Sequence, residues 1–173
     1  MNDETLREKT NRLAKVFGNV DRETLVVLKG HLLIEESLNS IIETFVHHAE
    51  KMQNAKLSFF QKVHIAKSMS LTEHESSAWI LIEHINSLRN DFAHKLESEK
   101  RAAKIENLKK LYALECKDNE FTEDPTAEDN SLFIGDVVAF CLGFLGSFEA
   151  EVMRFKEIVQ MMDNVLNKKK NCL

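Results

Sequence analysis

A chain of 173 residues can form one ordinary domain with a substantial core, and its five glycines and single proline leave little punctuation for hairpins or sandwiches. The fold class read from it is all-α. A formal charge of −5 gives no global pull toward nucleic acid, so any RNA site has to be local.

An amphipathic segment from about Glu4 to Phe17 opens the chain and stops at Gly18, after which Asp21 offers an N-cap. The helix that follows carries Val27, Ile34, Leu38, Ile41 and Phe45 on one face and is expected to run to about Lys51. A third segment starts near Ser58 and ends around Leu71, and Thr72 with Glu75 then forms a capping-box pattern for a fourth. In that fourth helix Ala78, Leu81, Ile85, Leu88, Phe92 and Leu96 share one face, and charged residues continue it toward Leu111 or Leu114. An acidic stretch near 115–131 holds the only proline, has no period and reads as a loop. Asn130 or Ser131 then caps a last helix, whose run from Leu132 to Phe148 is interrupted by Asp136 and three glycines. A buried core helix suits that run better than a membrane span. Gly135, Gly143 and Gly146 suit either close packing in the core or a dimer contact. The sum is a single domain over 1–173, an up-and-down bundle of about five helices.

Three cysteines, Cys116, Cys141 and Cys172, form no close pair, and no signal peptide opens the chain. Both features fit the cytoplasm. The histidines at 31, 47, 48, 64, 74 and 84 make no metal-ligand spacing with any cysteine, and no metal or other cofactor is expected. His31 lies one turn before Glu35 on the same side and so could reach a cleft there, although a surface or packing role is the stronger reading.

The stretch "INSLRNDFAHKL" sets polar residues beside the buried stripe of the fourth helix. At about 100° per residue, Arg89 falls at roughly 40° from the apolar direction of Ile85 and Asn86 at roughly 100°. Arg89 thus sits at the edge of the core and needs an acceptor to offset desolvation. Glu35, in "HLLIEESL", is the better placed of two adjacent glutamates to supply it across the helices. Asn90 and His94 lie one turn apart on the polar side, close enough for the asparagine to orient the imidazole. Arg89 and His94 diverge by about 140° on one regular helix, so they converge only across a two-fold axis or through a helix break.

The series "GHLLIEESLNSII", "LSFFQKVHIAKSMSL" and "LIEHINSLRNDFAH" resembles the HEPN superfamily, with Arg89, Asn90 and His94 matching its arginine, polar residue and histidine motif. The pattern is most similar to the branch that includes the mannitol operon repressor family. That resemblance implies a homodimer with both motifs facing one cleft, and a metal-independent endoribonuclease leaving 2′,3′-cyclic phosphate and 5′-hydroxyl ends. In it His94 would transfer protons, Arg89 would hold the scissile phosphate, Asn90 would orient the histidine or bind phosphate, and Glu35 would fix Arg89. The partners implied are RNA as substrate and an antitoxin or regulatory protein, with no membrane. Family members regulated by tyrosine modification carry a tyrosine two residues after the histidine, where this chain has Leu96. The alternative is a non-catalytic regulator or adaptor resembling the mannitol operon repressor. A third reading is a nucleotide- or RNA-binding module that uses the cleft without cleavage. The basic residues after the motif, Lys95, Lys100, Arg101, Lys104, Lys109 and Lys110, suit either an RNA backbone or a solvated helix face.

Overall fold

The computed structural model describes residues 21–52, 55–70, 76–94, 100–115 and 130–167. Among the described residues every element is a helix: α1 Arg22–Phe45, α2 Ala49–Met52, α3 Phe59–Met69, α4 Ala78–His94, α5 Lys100–Glu115 and α6 Asn130–Leu166. The all-α bundle expected from composition is what forms. The opening segment from Glu4 to Phe17, the Thr72 cap and the acidic stretch at 116–129 lie outside the described residues.

Asp21 starts α1 as the sequence suggests, its carboxylate accepting the Thr24 N–H at 2.7 Å. The helix stops at Phe45, six residues short of the expected Lys51, because Val46 turns into extended backbone. No basic residue of α1 lies in its last turn. Instead Lys156 of α6 donates to the carbonyls of Thr44 and Val46, at 2.7 and 3.2 Å. A positive charge therefore sits against the negative end of the α1 dipole. Ser58 starts α3 with a full capping box: its hydroxyl accepts the Gln61 N–H, and the Gln61 side chain accepts the Ser58 N–H.

α1 and α6 lie side by side and parallel, since Gly30 meets Val138, Ser40 bonds to Glu149, and Thr44 bonds to Lys156. Their buried faces supply Val27, Ile34, Leu38 and Ile41 from α1, and Ile134, Val137, Cys141, Leu145 and Phe148 from α6. Each such side chain contributes about 1.5–3 kcal/mol when fully removed from water. Glycine is required at position 30, where a Cβ would stand 2.6 Å from a methyl of Val138. Gly30→Ala should therefore lower stability by about 1–3 kcal/mol despite the better helix propensity of alanine. Urea unfolding of Gly30→Ala, Val138→Ala and the double variant checks this, with the double variant expected to lose clearly less than the sum of the two single changes. The three glycines of α6 behave differently. A Cβ at Gly135, Gly143 or Gly146 would meet no neighbour within 4 Å, so close packing in the core is not their reason.

One expectation is overturned between residues 94 and 100. The apolar stripe of the fourth helix suggested a single rod to Leu111 or Leu114, yet α4 and α5 are separate and antiparallel. Ser77 meets Glu115, His84 meets Asn107, and Asp91 meets both Arg101 and Lys104. Polar residues of α5 bring it back along α4, a long-range preference that helical periodicity cannot express. α6, by contrast, is one unbroken helix of 37 residues. It is long and apolar enough to cross a bilayer. Its Phe133, Ile134, Val137, Val138, Cys141, Leu145 and Phe148 are nevertheless buried within the bundle, as expected of a core helix.

Candidate functional site

The polar residues that interrupt the apolar stripe of α4 split into two groups, one turned toward α1 and α3 and the other toward α5. His31 is the centre of the first. It is 3% exposed, its Nε2 lies 3.0 Å from Asn86 Oδ1, and its ring stacks on Phe59 with centroids 4.4 Å apart. Since Asn86 Oδ1 only accepts, Nε2 carries the proton in this pair. Nδ1 is buried and has no hydrogen-bond partner among the described residues.

Burial lowers the His31 pKa from the ordinary 6.5 by penalising the imidazolium, and the Arg89 and Lys62 charges add to that effect. The Asn86 hydrogen bond and the Glu35 carboxylate oppose it. With the folded value depressed, the unfolded chain binds the proton first as pH falls. The stability tied to neutral His31 is thus complete above pH 6.5 and is lost as pH drops from there through the folded value. Urea titrations on either side of pH 6.5 should show a smaller decline for His31→Gln than for the wild type. Equal slopes would show that His31 is not protonated on unfolding in that window.

Glu35 lies one turn beyond His31, but its partner differs from the one expected. Its carboxylate takes Lys62 Nζ at 2.6 Å, in a pair that is mostly shielded from solvent. The cause is the docking of α3: with Phe59 stacked on His31, the next turn of α3 brings Lys62 onto Glu35. Arg89 is half-buried, and its Nη1 donates to Asn90 Oδ1 at 3.2 Å. Glu35 thus belongs to the same neighbourhood as Arg89 without neutralising it by direct pairing, and Asn90 engages Arg89 at this site.

α4 remains one helix as far as His94, its last residue, so no break between the two motif positions turns them to one side. The side chain of His94 lies outside the described residues. The helix break, one of the two routes to convergence read from the sequence, does not occur.

The second group explains Asp91, which is 6% exposed. Lys104 Nζ lies 2.7 Å from its Oδ2 and also donates to the Ser87 carbonyl at 3.2 Å. Arg101 donates to the Asp91 carbonyl at 3.3 Å and lays its guanidinium over the Phe92 ring, 4.2 Å from the centroid. These two cations tie α5 to α4, so they belong neither to a solvated face nor to an open RNA track. Elsewhere, burial pushes the Cys141 thiol up to about 12, which leaves it a packing residue with little nucleophilic character. Among the described residues, no group of three or more histidine, cysteine, aspartate or glutamate side chains is placed to hold a metal ion.

Sequence reasoning missed Asn86 and Lys62 as members of the first cluster. The signal for Asn86 was its spacing three residues before Arg89, which sets both on the side of α4 facing His31. Lys62 carried no comparable signal, because its role depends on how α3 docks. No protein-family model matches the chain, and neither a curated protein nor a solved structure matches it.

Proposed function

We propose that this chain is a metal-independent endoribonuclease of the HEPN type, in which Arg89 holds the scissile phosphate and His94 moves the protons. The observation that supports it is the state of Arg89: half-buried, oriented by Asn90, and spared direct pairing with Glu35 because Lys62 takes that carboxylate. A guanidinium so placed retains donors for two phosphate oxygens. Leu32 and Phe60, next in sequence to His31 and Phe59, are 54% and 61% exposed and give a second copy an apolar surface beside the cluster. Across such a two-fold axis, the arginine of one copy works beside the histidine of the other.

In the reaction, the ribose 2′-oxygen loses its proton to a neutral imidazole and attacks the phosphorus. The bond to the 5′-oxygen breaks, and an imidazolium returns a proton to that leaving oxygen. Arg89 offsets the charge gathering on the phosphoryl oxygens. No step needs a metal ion.

Incubating the protein with total RNA in EDTA, beside Arg89→Ala and His94→Ala, tests the proposal. Cleavage by the wild type alone, leaving 2′,3′-cyclic phosphate and 5′-hydroxyl ends, is the expected result. Intact RNA with all three proteins, the variants being folded, would favour the non-catalytic regulator reading. One observation supports that second reading: Arg101 and Lys104, two of the basic residues that follow the motif, are committed to α4.

A further inference from the structure

The apolar repeat of α6 does not stop where the bundle stops. Positions alternating by three and four along the helix are Ile134, Val138, Cys141, Leu145, Phe148, Val152, Phe155, Val159, Met162 and Leu166. From Ile134 to Val152 this seam is at most 6% exposed. From Phe155 onward it is open to solvent, with Phe155 at 48%, Val159 at 38%, Met162 at 59% and Leu166 at 80%. Lys156 marks the boundary, since it caps the end of α1 and the helix then runs on for ten residues, about 15 Å. A sustained three-four repeat is the pattern of a helix packed along its length against another.

We propose that this projecting end of α6 is a self-association surface, packing antiparallel against the same segment of a second copy of the chain. The flanking residues select both the partner and the direction. One flank of the seam is apolar, Ile158 and Val165, and the other carries Lys156 and Asp163. Antiparallel helices set like flanks together, so Ile158 meets Val165 of the second copy and Lys156 meets its Asp163, each twice by symmetry. In the seam, Val159 then opposes Met162 and Phe155 opposes Leu166. A parallel pair would instead set Ile158 against Asp163, a carboxylate on an apolar side chain. Lys156 uses two of its three donors on α1, which leaves one for the carboxylate.

The seam residues Phe155, Val159, Met162 and Leu166 and the apolar flank of Ile158 and Val165 are all exposed, a continuous apolar strip of the kind that marks an association surface. This surface is distinct from the one that would complete the Arg89 cleft. His31 is level with the region of Val138, so tens of ångströms of α6 separate the two.

The test is the solution mass of the full chain by light scattering and sedimentation, for wild type, Val159→Glu, Met162→Glu and the exposed neighbour Gln160→Glu. Both seam variants should lower the mass, to half where this contact is the only one the chain makes, while Gln160→Glu leaves it unchanged; circular dichroism confirms that all remain helical. A wild type that is monomeric at high micromolar concentration, or seam variants with wild-type mass, would overturn the proposal. Asp163→Lys should weaken association at least tenfold, and wild-type association by that variant would overturn the antiparallel register. Because the readout is mass, the result stands whether or not the protein cleaves RNA.

Discussion

Trp79→Ala should cost the fold about 3–5 kcal/mol, a large fraction of the stability of an ordinary domain. Trp79 is fully buried in the first turn of α4, edge-on to Phe144 at 5.1 Å and to Phe148 at 5.7 Å. The loss combines the indole surface returned to water, two aromatic contacts each worth about 0.5–1.5 kcal/mol, and a cavity between α4 and α6 that neither helix can collapse to fill. Trp79→Phe should recover part of the loss, since a smaller ring still meets the two phenylalanines. Urea unfolding followed by circular dichroism is the measurement, because Trp79 is the single tryptophan and its fluorescence disappears with it. A cost below about 1 kcal/mol would mean that α4 and α6 are not held together at this point.

If the proposed ribonuclease reading holds, Arg89→Ala should reduce RNA cleavage by about 10²–10³-fold, the usual loss when one donor to a developing negative charge is removed. Arg89→Lys should keep the charge and still lose most of the rate, because an ammonium cannot reproduce the planar fork that grips two oxygens. Both variants should unfold within about 0.5 kcal/mol of the wild type, since Arg89 is half-buried and its hydrogen bond to Asn90 is local. Single-turnover cleavage with denaturation of the same samples separates the two effects. If Arg89→Lys cleaved at the wild-type rate, Arg89 would be a general positive charge near the site and not a phosphate clamp.

The helices were legible because their signals are local. Asp21, Ser58 and the α1 stripe from Val27 to Ile41 each stand within a turn or two of the residues they organise, and the structure keeps all of them. What the sequence hid depends on partners far along the chain. The carbonyl end of α1 is closed by Lys156, over a hundred residues away, which no property of residues 46–51 announces. The reversal between α4 and α5 rests on Asp91 receiving Lys104 and Arg101, whereas the apolar period around Phe92 suggested continuity. At the site, the sequence suggested Arg89 as the partner of Glu35, whereas the carboxylate takes Lys62. A wheel gives the direction in which a carboxylate points, not that the docking of α3 will set Lys62 on it.

The union of α1 with α6 has a consequence for the order of events when the protein is made. α1 emerges early, yet the residues that fill Gly30, bond Ser40 and close its carbonyl end come from Val138, Glu149 and Lys156. Until more than a hundred further residues have left the ribosome, the face with Val27, Ile34, Leu38 and Ile41 has no α6 to cover it. Folding of this chain is therefore completed from its last helix. A nascent chain cut short within α6 leaves the longest apolar stripe of α1 exposed to chaperones and to other unfinished copies.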